Sequence, residues 1–189
     1  MMTYRKVLWD WALDHHGLVT THDARDLEIP TVELRKLAQR GGLARIGQGV
    51  YRVTGLPESD HADFAEAVAL VGRDAYLTND AVLALHDLGQ VNPRSIRVAT
   101  PHRVRAALPR HVSVVLRTDL SAEDLVVYDD IPSTTVARAL VDCRALVMTS
   151  RLREAADSAR RTGLLTRDER DWVSESLSLE AAEPLVTPR

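Results

Sequence analysis

Apolar residues recur at helical spacing from the start of the chain. Val7, Leu8, Trp11 and Ala12 fall on one face, which predicts a helix from Tyr4 to about His15, stopped by Gly17. After Leu18 and Val19, Thr21 carries a hydroxyl able to cap a short helix through Leu27. Ile29 and Pro30 break that helix, and Pro30, tolerated at a first helical position, opens a third one to about Arg40. There Leu34, Leu37 and Ala38 form an apolar stripe, with Thr31, Arg35, Lys36, Gln39 and Arg40 on the other side. Gly41 and Gly42 supply the backbone freedom that ends it. Leu43–Ile46 and Val50–Thr54 then read as short strands joined across Gly47, Gln48 and Gly49.

Turn residues cluster from Gly55 through Leu56, Pro57, Glu58 and Ser59 to Asp60, which predicts a division into residues 1–56 and 57–189. Beyond it, Ala62–Val71 reads as an amphipathic helix with Ala65, Val68 and Ala69 inward, and Thr78 or Asn79 as the cap of another ending at Gly89. Three valine-rich runs, Ser95–Thr100, Val112–Thr118 and Leu125–Asp129, read as strands. Helices are expected again at Thr134–Arg144 and from 150 to Arg161. The Thr166 and Glu169 capping box opens a last one through about Leu177, and the final dozen residues read as loose. The expected fold class is α+β: an N-terminal winged helix-turn-helix, then a small α+β domain with a short sheet and C-terminal helices.

A hydrophobic share of 45% and a charged share of 27% exclude a disordered chain. No apolar run reaches the eighteen or so residues of a membrane span, so a cytoplasmic location is expected. The net charge of −3 conceals alternating blocks. Residues 31–56 carry five basic side chains against Glu33, and residues 97–117 carry five arginines and no acid.

Three helices and a basic hairpin are the parts of a winged helix-turn-helix. A recognition helix needs an apolar back and a polar, basic front to lie in the major groove, which Thr31–Arg40 provides. On this reading Thr31, Glu33, Arg35 and Lys36 approach base edges, while Arg40, Arg45, Gln48 and Arg52 contact phosphates. A solvated basic face would explain the same charges.

Gly17, Leu18, Val19 and Thr20, then Leu34–Leu37, and then the run from Gly41 through Ile46 to Tyr51 resemble the N-terminal winged helix of AbiEi-type antitoxins. The stretch from Asp129 and Asp130 through Pro132 to Asp142 resembles the same family more weakly, so the likeness covers about residues 1–145. It implies an antitoxin that represses its own operon through double-stranded operator DNA. It also implies that a second domain neutralises a nucleotidyltransferase-like toxin encoded beside it. The alternative is a ligand-sensing winged-helix regulator without a toxin.

Enzymatic readings find little support. Lys6 and Lys36 are the only lysines, so a nuclease of the restriction-endonuclease type lacks the lysine its second half would need. No glycine-rich phosphate loop is present. His15, His16 and His22 lie close together, but His15 and His16 point to different sides of a helix end, which favours capping or solvent exposure over a metal. His86 and Asp87 diverge as neighbours on a helix, and Cys143 reads as core packing. No catalytic residue, metal or cofactor is therefore expected. Arg138 and Asp142, four apart, read as a structural pair anchoring their helix to the strand ending at Asp129, or else as part of a toxin-binding surface. For Arg97, Arg103, Arg105, Arg110 and Arg117 three uses stand level: a second phosphate-binding surface, docking to an acidic toxin face, or a solvated strand edge.

Overall fold

The structure, a computed structural model, describes residues 3–179; the loose end expected for the last dozen residues lies almost wholly outside them. Helix α1, Tyr4–Asp14, is capped by Thr3 and buries Leu8 and Ala12. It ends where His16 and Gly17 both take left-handed backbone, with φ of 54° and 76°. Strand β1, Leu18–Thr20, follows, and its three residues are too few for periodicity to reveal. Helix α2, Thr21–Asp26, is capped by Thr20 rather than the expected Thr21: the Thr20 hydroxyl accepts from His22 and Asp23, and Asp23 reaches back to the Thr20 amide at 2.7 Å.

Helix α3, Thr31–Gln39, starts after Pro30, which takes the cap position rather than the first turn, and buries Leu34. Strands β2, Leu43–Gly47, and β3, Val50–Val53, form the hairpin, and β1 joins its far side in a sheet ordered β1-β3-β2. The wing is tightly seated. Gly49 has φ 76° and a Cβ there would stand 2.9 Å from Thr21 Oγ1, while the Thr21 amide donates to the Gly49 carbonyl at 2.8 Å. Leu8, Val19, Ala24, Ile29, Leu34, Leu43, Tyr51 and Val53 are among the residues packed into the core of this winged helix-turn-helix.

The second half is α+β. Helix α4, Ala62–Val71, turns Ala67 and Val68 fully inward, with Ala67 rather than Ala69 completing the inner face. Strand β4, Tyr76–Leu77, leads into α5, Asp80–Leu85. That helix stops well before Gly89, and its cap residue Asn79 makes no capping bond. Its amide instead donates to the Asp142 carbonyl at 3.0 Å. Strands β5, Ile96–Thr100, β6, Val112–Leu116, and β7, Leu125–Tyr128, match the three valine-rich runs with trimmed ends.

Strand β8, Ile131–Thr134, was not foreseen, and it moves the start of α6 to Val136, with Thr135 as its cap. Helices α6, Val136–Asp142, α7, Thr149–Arg161, and α8, Arg167–Leu179, complete the described chain, the last opened by the expected Thr166–Glu169 box. The five-stranded sheet runs β6-β5-β4-β8-β7, with β5–β6 and β4–β8 parallel and the other pairs antiparallel. Its core joins Leu77, Val98 and Ile131 to Leu83, Leu140, Leu152 and Val173 from the helices.

The halves touch at several points. The wing leans on α4, since a Cβ on Gly47 would stand 2.2 Å from Leu70 Cδ2. Arg52 Nη2 donates to Glu66 Oε2 at 2.7 Å.

Candidate nucleic-acid interface

A cleft of about 1160 Å³ opens between the winged helix and the second half. Helix α3 presents Thr31, Arg35, Ala38 and Gln39 to it, four positions that helical spacing stacks on one face. The wing adds Arg45 and Gln48, and α2 adds His22 and Arg25. The facing wall holds Arg73, just past α4, and His102, Arg103 and Arg105 from the segment after β5.

Six arginines, Arg25, Arg35, Arg45, Arg73, Arg103 and Arg105, thus share one cleft with three aspartates. The aspartates are already engaged. Asp23 closes the α2 capping box, Asp26 lies 3.5 Å from Arg73, and Asp74 lies 3.2 Å from His102. The remaining positive excess is concentrated in a concave site, where low-dielectric walls focus the field on an anion.

The expected DNA-contact residues divide into groups. Thr31, Arg35, Arg45 and Gln48 come together on the cleft, and Arg45 is steadied by its Nε donating to the Gly47 carbonyl at 3.1 Å. Glu33, Lys36 and Arg40 are not on its lining; Lys36 donates to Glu33 at 2.8 Å, and Arg40 is exposed at the end of α3. Arg52 departs from expectation. It sits on the middle strand of its sheet with its guanidinium held by Glu66, so it is an internal tie and not a wing-tip cation.

The second basic block also divides. Arg103 and Arg105 reach the cleft, and Arg110 is exposed elsewhere. Arg97 and Arg117 are each tied to carboxylates of the second half. Arg97 donates to both oxygens of Asp80 at 2.8 and 2.7 Å, and burial raises that carboxyl despite the arginine's opposing pull. Arg117, with 11% of its side chain exposed, bonds to Asp119 at 3.0 and 2.7 Å and also to Asp142. The Arg117 bonds hold Asp119 down to about 2. Asp142 accepts from Arg138 too, at 3.1 and 2.9 Å, so that pair ties α6 to the end of β6 and not to the strand ending near Asp129.

Reading along the chain missed His22, Arg25, Arg73 and His102. Arg73 was hidden because it stands in an acidic block, and block charge says nothing of which element faces which. The histidines also differ from expectation. His16 neither caps nor meets solvent; only 9% of it is exposed. His86, half-buried, lies edge-on against Tyr128, and desolvation lowers its pKa; no catalytic pair with Asp87 was expected. Cys143 is buried as expected, and burial pushes its thiol up. Among the described residues no group of His, Cys, Asp or Glu could hold a metal ion, and no helix is long and apolar enough to cross a membrane.

Residues 8–54 match the family described as "Transcriptional regulator, AbiEi antitoxin". The N-terminal winged helix is similar to that family's domain. That family is one of regulators and not of enzymes, and the match spans α1 through the wing, the elements that build one wall of the cleft. No curated protein matches the chain. Among solved structures, the chain is similar to the RV2827C protein from Mycobacterium tuberculosis at 17% identity and a TM-score of 0.48, covering 96% of this chain and 82% of that one.

Proposed function

We propose that this protein is an antitoxin and autorepressor that binds double-stranded operator DNA in the arginine cleft and neutralises a nucleotidyltransferase-like toxin. The observation that carries the DNA reading is the convergence of Arg35, Arg45 and Gln48 from the winged helix with Arg103 and Arg105 from the second half. On this reading Thr31 and Arg35 face base edges, where an arginine pairs best with guanine. Arg40, Arg45, Arg103 and Arg105 neutralise phosphates and set the register. The exposed Lys36 and its partner Glu33 lie at the margin of the footprint.

The chain divides after about residue 56 on the same reading, with the winged helix reading DNA and residues 57–189 holding the toxin. Two separate apolar cores support this, one drawing on residues 7–56 and the other on residues 64–177. The protein acts in the cytoplasm by binding, without catalysis or cofactor.

Retardation of a fragment from upstream of its own gene tests the DNA reading, with Arg35→Ala expected to relax base preference and Arg45→Ala to weaken all sequences alike. Equal retardation by both variants and the wild type would overturn it. Co-expression with the adjacent gene tests the antitoxin role, with growth rescue by the full chain the expected result. A neighbour that is not toxic would favour the ligand-sensing regulator.

A further inference from the structure

Two walls make a usable cleft only if their angle is held, and a second set of contacts joins the halves at the turn after α1. His16 Nε2 stands 2.6 Å from the Asp129 carbonyl oxygen, and its Nδ1 stands 2.7 Å from Ser59 Oγ. The carbonyl can only accept, so Nε2 carries the hydrogen and Nδ1 accepts from the serine hydroxyl. A neutral His16 therefore satisfies both partners while buried between the halves.

His15 and His61 grip the same turn. His15 Nδ1 donates to the Trp11 carbonyl at 2.7 Å, so its Nε2, 3.6 Å from Asp130 Oδ2, bears a hydrogen only when the ring is protonated. Its ring stacks on Trp11 with centroids 3.7 Å apart, a face that attracts a cation. His61 Nδ1 lies 2.8 Å from Asp129 Oδ2, with its ring edge-on to Phe64. Asp129 and Asp130 have φ of 47° and 60°, a two-residue turn between β7 and β8 with no slack, so holding it holds the sheet.

We propose that this histidine clasp on the 129–130 turn sets the angle between the winged helix and the five-stranded sheet, and thereby the width of the arginine cleft. The proposal rests on the reading of that cleft as the DNA site.

Spin labels at Arg40→Cys and Arg110→Cys, both exposed and in different halves, report the angle; Cys143 is buried and does not compete. Pulsed dipolar spectroscopy without DNA is expected to give one narrow distance for the parent chain. His16→Ala should broaden it and weaken operator binding by unlabelled protein about ten-fold, as expected for two lost hydrogen bonds. Ser59→Ala, at an exposed position that leaves the fold intact, should do the same to a smaller extent.

A His16→Ala or Ser59→Ala distribution as narrow as the parent's overturns the proposal, as does a broadened one with unchanged operator affinity. A parent chain that binds no DNA while its distances respond as stated overturns the DNA reading and leaves the clasp standing.

Discussion

Arg52 on the middle strand of the wing sheet and Glu66 on α4 meet at 2.7 Å, both with about a fifth of their side chains exposed. The pair bridges the winged helix and the second half, and it engages an arginine whose position on a basic hairpin suggests a phosphate contact. Arg52→Gln is expected to leave the salt dependence of DNA binding unchanged. It should lower stability by about 1 kcal/mol, the upper range for a pair that water still reaches. Urea denaturation and a salt titration on the same variant read the two effects separately.

Arg103 and Arg105 are expected to replace Arg52 in the phosphate footprint. With Arg40, Arg45, Arg103 and Arg105 neutralising one phosphate each, log affinity should fall with log salt at a slope near about −3.6 per protomer. Arg103→Ala with Arg105→Ala should reduce that to about −1.8 without altering base preference. Fluorescence anisotropy across a salt series measures the slope, and an unchanged value would remove the second half from the DNA site.

Arg117, Asp142, Arg138 and Asp119 form a network in which Arg117 and Asp142 are each about nine-tenths covered. Asp142→Asn should leave Arg117 with Asp119 as its remaining counter-charge and cost about 2 kcal/mol, because charge-assisted hydrogen bonds to Arg117 and Arg138 are weakened where water has little access. Thermal melting checks this. Arg110→Ala, at an exposed position in the same basic block, should have no such effect.

Acid should act on the same network. The Asp119 carboxyl is held down to about 2, chiefly by the hydrogen bond from Arg117. Its folded pKa lies below its unfolded value, so its contribution is full above about pH 4 and is lost as pH falls through about 2. Asp119→Asn should flatten that part of the stability profile, measured by denaturation at stepped pH.

Gly49 occupies left-handed backbone against Thr21. Gly49→Ala should destabilise the winged helix by about 1 kcal/mol or more, since alanine is strained at that φ and its Cβ meets the threonine hydroxyl. A melting temperature equal to the parent's would show that the wing turn can relax.

The sequence by itself determined the elements whose cause is local. Helices α1 and α3 follow from apolar spacing of three and four, and the hairpin from glycines around Gln48. The last helix follows from a threonine and glutamate three apart. Each rests on residues within one turn or one hairpin of each other, so the chain carries its own explanation. The tertiary structure alone decided β4 and β8, because strands of two and four residues exist through partners far along the chain. It also decided the fate of each charge. Arg52, Arg97 and Arg117 look like Arg45 and Arg103 in a sequence, and only the acids that folding brings beside them make three of them internal ties. Coulomb attraction depends on distance through space, and the same folding that paired those three with acids set Arg73, Arg103 and Arg105 across one cleft from Arg35.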